Sequence, residues 1–327
     1  MTTGKLPSDP RLRVLALIVD FRTSADAARL SRQVARSDTA GIDLTVCHVD
    51  NGNDVPVALT EEEHRHGIRL IRLPSNGGYG SGIRAAIARA AAGETYDAYW
   101  FLNSDLEVES DTLTKLTDVL RDHPEAGAVG PTVIWGRGPR VWGARGVVSP
   151  LLGMTAMTPW PQGGELPHWS YIPGCSMLVR REAYEEVGGI PDRYGMYYEE
   201  TELSVQLQQA GWSLHVEPDA KVYHGVNSRD AGVPARHHAF YFTRNNLYFW
   251  KRNFSIPPLL QLPRTLAVVF KDVVIPLRHA RSPAEALDRL RFVGMGLLDA
   301  FPFLTHRHTP RERRHFDLRS PEDEPAS

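Results

Sequence analysis

Ala98-Tyr99-Trp100-Phe101-Leu102-Asn103-Ser104-Asp105 is an unbroken apolar run that stops at an amide, a hydroxyl and an acid. A run with no polar alternation is how a strand reads when helices cover both its faces, as in a parallel sheet. Upstream, Val14-Leu15-Ala16-Leu17-Ile18-Val19 repeats the pattern and stops at Asp20-Phe21-Arg22. Residues 24–37 then carry helical spacing through Ala27, Leu30 and Val34. A second strand over 42–49 ends at the strong turn signal Asp50-Asn51-Gly52-Asn53. A third, over 68–73, leads through the loop 74–82 into an alanine-rich helix over 83–92. Strands alternating with helices predict an α/β fold on a mainly parallel sheet. Ligands of such sheets gather at the carboxyl ends of the strands, where Asp20, Asp50, the glycine loop and Asp105 all fall.

Beyond Asp111 the pattern is less regular. Glycine- and tryptophan-rich loops occupy 135–142 and 160–169, followed by an expected strand over 175–179, a helix over 203–210 and a strand over 213–216. Val222-Tyr223-His224 precedes a polar loop, an aromatic-rich helix over 239–250, and proline-broken amphipathic helices over 256–304. The tail from His306 is basic, then acidic. The expected division is a domain over 11–250, a helical extension over 251–310 and a disordered tail over 311–327.

With 327 residues, 42% hydrophobic, the chain can bury a large core, and its net charge of −2 gives no footprint for nucleic acid. Cys47 and Cys175 lie far apart inside apolar segments and read as buried thiols of a reducing compartment. Met1 to Pro10 lacks a leader's apolar core, and the best apolar run, 266–277, is interrupted by Lys271, Asp272 and Pro276. The expectation is a cytoplasmic protein, soluble or peripheral at the inner membrane face.

Four groups of residues carry chemistry. Tyr197-Tyr198-Glu199-Glu200-Thr201-Glu202 crowds three acids after a Gly/Pro turn, ahead of an amphipathic helix. Helix-start acids are ordinary, but crowding also raises carboxyl pKa values toward those of a general base. Asp105, with Asn103 before it, suits a divalent cation; capping the next helix is the plain alternative. Asn76-Gly77-Gly78-Tyr79-Gly80-Ser81-Gly82 has the composition of a phosphate cradle, and Gly80, Gly82 and Ala85 match a dinucleotide fingerprint. Against the latter, that helix follows the third strand rather than the first. His224 is one of 13 histidines, able to complete a metal site if it meets Asp105.

Taken in order, these pieces resemble the inverting glycosyltransferases of family 2, which have the GT-A fold, and among them bacterial rhamnosyltransferase-like enzymes. The resemblance runs from about Val14 to about Trp250 and is carried by Asp20-Phe21-Arg22, Asp50-Asn51-Gly52, Asn76-Gly77-Gly78 and Leu102-Asn103-Ser104-Asp105. Gly174 to Arg180-Arg181, Tyr198-Glu199-Glu200-Thr201-Glu202 and Val222-Tyr223-His224 continue it. It implies a nucleotide-binding half over 11–105, a mixed acceptor half over 106–250, and transfer of one sugar from a UDP- or dTDP-sugar to a hydroxyl acceptor. Glu200 would be the base, Asp50 the contact to the pyrimidine, and Asp105 with His224 the ligands of Mg2+ or Mn2+. Asp20, Phe21, Arg22, Asn76, Gly77, Tyr79, Gly80, Arg84, Asn103 and Ser104 complete the implied nucleotide contacts. Trp135, Trp142 and Trp169, together with Gly174, Cys175, Glu199 and Glu202, are placed on the sugar and acceptor side. Arg229 could clamp the diphosphate.

The chain departs from the family pattern at Glu200 and Glu202, where aspartates are usual, and at Phe21-Arg22, Arg84 and Gln206. Two other function classes stay open at this point: a non-catalytic sugar-nucleotide or glycan-binding protein of the same fold, and an NAD-dependent oxidoreductase. The C-terminal helices could meet a membrane surface or a second subunit.

Overall fold

The computed structural model describes residues 11–150, 154–225, 235–254, 266, 270 and 282–305. Expectations for Met1 to Pro10, for Arg229 and for the tail 311–327 fall outside them. Contacts divide the chain into two units, Met1–Ala231 and Gly232–Ser327.

In the first unit, β1 (Leu12–Asp20), β2 (Ile42–Asp50), β3 (Arg69–Arg72) and β4 (Ala98–Asn103) run parallel in the order β4-β1-β2-β3. Helices α1 (Ser24–Ala35), α2 (Glu61–Arg65) and α3 (Tyr79–Ala90) connect them. β1 explains its own unbroken run. Val14, Ala16 and Ile18 join one apolar layer with Ala27, Leu30 and Val34 of α1. Leu15, Leu17 and Val19 join the opposite layer with Ile83 and Ala86 of α3. Neither face meets water, so alternation has nothing to select it.

The sheet continues through β12 (Ser176–Arg180), antiparallel to both β4 and β6 (Ala126–Trp135). β13 (Ser213–His224) then runs parallel to β6, and β10 (Gly164–Glu165) closes that side. One inverted strand restores the common direction, so β6 and β13 point the same way as β1–β4. The carboxyl ends of β1, β2, β4, β6 and β13 therefore open on one edge, and β12 starts there. Short β5 (Leu106–Val108) and β7 (Val141–Gly143) pair with β13 and β6 near that edge. Between β5 and β6 runs α4 (Thr112–Asp122), and between β12 and β13 run α5 (Arg181–Glu186) and α6 (Glu199–Gln209).

Several expected boundaries move. β7 begins inside the loop expected over 135–142 and β10 lies inside the one expected over 160–169, while a separate sheet of β8 (Arg145–Ser149), β9 (Met154–Thr158) and β11 (Ser170–Tyr171) forms in stretches for which no element was expected. The strand expected at 213–216 and the Val222-Tyr223-His224 segment are one strand, with Pro218 lodged in an irregularity between Glu217 and Lys221. A proline lacks the ladder N–H, so a bulge accommodates it without ending the strand. α3 starts at Tyr79 and α6 at Glu199, each four residues before the apolar periodicity that announced it.

In the second unit, α7 (Ala235–Asn253) packs on α8 (Pro283–Thr305). The Tyr248 hydroxyl donates to the Asp299 carbonyl at 3.1 Å. No helix among the described residues is long and apolar enough to cross a membrane.

Candidate active site

β5 follows Asp105 and pairs His224 with Leu106, so strand register carries the two residues together across 119 positions of sequence. His224 Nε2 lies 3.5 Å from Asp105 Oδ1, both partly exposed. That is longer than a good N–H···O bond, and both atoms are within reach of one cation with ligands at about 2.1 Å. The imidazole is held from behind. Trp142 stacks on it at 5.3 Å and 6°, Trp135 flanks it at 5.9 Å, and these indoles remain 38% and 39% exposed. Trp169 sits elsewhere: its carbonyl accepts from Val148 N at 2.7 Å and its ring meets His168 edge-on. Trp135 and Trp142, the other two indoles expected at the sugar, stand open beside His224.

Glu200 is positioned by strain and by a missing side chain. Tyr197 and Tyr198 have φ of 67° and 75°, a left-handed pair with no glycine, immediately before α6. Bulky residues adopt that region at a cost of order 1–2 kcal/mol each, so the surroundings must impose it. Glu202 supplies part of the constraint. It is fully buried and accepts from Arg193 Nη1 at 2.7 Å, from Gln206 Nε2 at 2.9 Å and from the Tyr194 hydroxyl. Glu202 was expected beside the substrate; its bonds make it a latch that folds the 193–198 loop onto α6. Glu199 also turns inward and is buried. Glu200 is left facing Gly174, where a Cβ would come within 2.9 Å of its Cγ. Desolvation raises the Glu200 carboxyl above the ordinary value, against hydrogen bonds from the start of α6 and from Thr201.

Glu200 and the Asp105 corner converge on shared neighbours. Burial, then Asp105 and Glu200 charge, push the Cys175 thiol up. The Tyr79 hydroxyl donates to the Gly174 carbonyl at 3.0 Å, and its pKa is raised by burial, Cys175, Glu199, Glu200 and Asp105. Tyr79, expected at the nucleotide, is thus tied to the Gly174 backbone beside Glu200. Asn103 N, in turn, donates to the Cys175 carbonyl at 2.9 Å.

The nucleotide half shows where acids at strand ends go. Asp20 is fully buried and accepts from His48 Nε2 at 3.2 Å, from Asn53 Nδ2 at 3.1 Å and from Thr23 N at 2.9 Å. Burial would raise its carboxyl, but bonds from His48, Ser24 and Thr23 prevail and hold it low. It ties β1 to β2 and is not open to a ligand, contrary to expectation. Asp50 accepts Asn53 N at 3.0 Å, Asn53 Nδ2 at 2.8 Å and Val57 N at 3.1 Å, folding residues 51–57 over the end of β2. The pyrimidine contact expected of it would add to those bonds at a residue that is 3% exposed. Phe21 lies under the Arg22 guanidinium at 5.1 Å, and Arg22 pairs with Asp54 at the surface. Ser104 Oγ bonds Thr23 Oγ1 at 2.7 Å.

The glycine loop is shaped by contacts within the protein. Asn76 Oδ1 accepts from Asn51 Nδ2 at 3.1 Å and from Gly78 N at 2.9 Å, closing a turn that includes Gly77. A Cβ on Gly78 would sit 2.3 Å from the Gly195 carbonyl, and one on Gly80 would sit 2.2 Å from that of Pro191. These glycines let α3 touch the backbone that leads to Glu200. Arg84, expected at the nucleotide, donates to the Gly188 and Ile190 carbonyls at 2.6 and 3.3 Å and pins the same loop. No sequence signal marked Arg193, Tyr194 or His48, because each acts through a contact that only the folded loop creates.

The family model "Glycosyl transferase family 2" matches residues 28–188. The chain carries a family 2 glycosyltransferase domain. N-acetylglucosaminyl-diphospho-decaprenol L-rhamnosyltransferase of Mycobacterium tuberculosis is 28% identical over 233 residues, 64% of this chain and 76% of that protein. O-antigen biosynthesis protein RfbC of Myxococcus xanthus is 25% identical over 222 residues, 64% of this chain and 17% of the other. Among solved structures, S. aureus TarS 1-349 in complex with UDP-GlcNAc aligns with a TM-score of 0.55 at 12% identity, covering 88% of this glycosyltransferase and 82% of TarS. A mannosyltransferase from Pyrobaculum calidifontis, in complex with GDP-Man and Mn2+, aligns at 0.50 and 14%, covering 92% and 81%. The fold is GT-A. The glycine run is thereby accounted for without a nicotinamide cofactor, since α3 follows β3 and docks on protein backbone.

Proposed function

We propose that this glycosyltransferase moves one sugar, rhamnose-like, from a UDP- or dTDP-sugar to a hydroxyl of a glycan, lipid-linked glycan or natural product, with inversion. The observation that carries the reading is the meeting of a desolvated Glu200 with the Asp105–His224 pair around Gly174 and Cys175. Glu200 takes the proton of the acceptor hydroxyl, and the freed oxygen pair attacks the anomeric carbon from the face opposite the nucleoside diphosphate. That bond forms as the sugar–phosphate bond breaks, and the electrons leave on the diphosphate. Asp105 and His224 offer an oxygen and a nitrogen to a divalent cation of the Mg2+ or Mn2+ class, a donor set that leaves room for phosphate oxygens. Such a cation, when bound, neutralises the leaving diphosphate. Trp135 and Trp142 give a ring-stacking surface beside it. The printed activity of the 28% identical L-rhamnosyltransferase supports a rhamnose-like sugar as the group transferred.

The test is a donor screen by mass spectrometry, offering UDP- and dTDP-hexoses and dTDP-rhamnose with Mn2+ and a polyprenyl-diphosphate-linked sugar. Single-sugar transfer from one of these donors is expected; failure with all of them, alongside intact nucleotide binding, removes the assignment. Peripheral membrane contact rests on α8, where Leu287 and Leu298 are exposed. Co-sedimentation with anionic phospholipid vesicles is expected, and recovery of all protein in the supernatant would rule it out.

A further inference from the structure

β13 carries a second histidine, His215, near its start, at the sheet edge opposite the active site. Beside it, α4 ends at Asp122 and His123-Pro124-Glu125 turns the chain into β6. His123 Nδ1 lies 3.1 Å from Glu125 Oε1, and the His123 ring is 4.5 Å from the His215 ring at 35°. One ligand atom from each of the three residues falls within 4.8 Å of the others, the only such group among the described residues.

His215 is 2% exposed. Its Nε2 shares a hydrogen bond with Ser213 Oγ at 3.0 Å, which leaves Nδ1 buried without a hydrogen-bond partner. A buried imidazole nitrogen in that condition is costly unless something takes it up. Charge at this corner is mixed. Glu165 stands opposite His215 in the β10–β13 register, and Arg180 Nη2 donates to the His123 carbonyl at 3.1 Å.

We propose that His123, Glu125 and His215 form a second divalent cation site, of the borderline class typified by zinc, which clamps the α4–β6 turn to the start of β13. Two imidazoles and one carboxylate are nitrogen-rich, unlike the oxygen-rich surroundings of a cation on a diphosphate. His215 and His224 are nine positions apart on the strand, on the order of 25–30 Å. A cation there cannot touch the diphosphate, so its effect is on stability through preferential binding to the folded chain. The proposal does not depend on the assigned transfer activity.

The experiment uses the full chain after chelator treatment, titrated with Zn2+ alone in a calorimeter, with Co2+ absorption reporting nitrogen and oxygen ligation. One equivalent is expected to bind and to raise Tm. His123→Gln and Glu125→Gln alter side chains that are 46% and 54% exposed. Each should keep the metal-free Tm and lose more than about tenfold in zinc affinity, while Asp105→Asn retains the affinity. Absence of binding in the natural sequence overturns the site. So does affinity that survives both substitutions, or that disappears with Asp105→Asn.

Discussion

Replacing Glu200 with glutamine is expected to lower transfer by about 10²–10⁴-fold, the range of a positioned general base, while nucleotide binding and fold are retained. The amide keeps the side chain's length and its packing against Gly174, so the loss reports on the proton and not on shape. Desolvation raises the carboxyl above its ordinary 4.5, and only the ionised form accepts a proton. The acidic limb of the rate profile should therefore lie higher than an ordinary glutamate would place it. Stability has the opposite sign. An acid whose pKa is raised by folding favours the native state fully below its ordinary value and loses that contribution as pH rises through the raised one. Glutamine mimics the protonated form, so Tm of Glu200→Gln at neutral pH should equal or exceed that of the natural protein. Turnover close to normal in this variant would reject Glu200 as the base.

The second large effect concerns Asp105 and His224. Asp105→Asn and His224→Gln are each expected to lose metal-dependent binding of UDP or dTDP by about 10–100-fold or more, as measured by calorimetry with and without Mn2+. Asp105→Asn removes charge, and His224→Gln removes the imidazole that stacks on Trp142. Glu200→Gln should bind the same nucleotide normally, which separates leaving-group binding from proton transfer. An Asp105→Asn protein with undiminished Mn2+–nucleotide affinity would show that the cation is held elsewhere.

Much of the fold was legible because burial on two faces writes itself as unbroken apolar strands, and turns mark their ends. The run to Asp105, the turn at Asp50 and the acidic stretch at Glu200 all stand out in the sequence. Their uses were less legible. Asp20 and Asp50 occupy the expected strand ends, yet they accept hydrogen bonds from residues inside their own half. Glu202 reads like Glu200 in sequence, but the two α-helical positions between them turn it to the opposite face, onto Arg193 and Tyr194. Gly78 and Gly80 look like a cradle for an anion and serve a contact with residues 191–195.

The sequence by itself determined which residues could form strands and helices and which acids stood at strand ends, because those follow from local periodicity and burial. The tertiary structure alone decided that Asp105 meets His224, since that depends on β5 pairing with the far end of β13. It also decided which glutamate stays available, because the left-handed Tyr197–Tyr198 kink and the Glu202 latch set the start of α6. The physical reason is the same in each case. Local propensity acts over a few residues, whereas a carboxylate's role depends on which donors and charges arrive from across the chain.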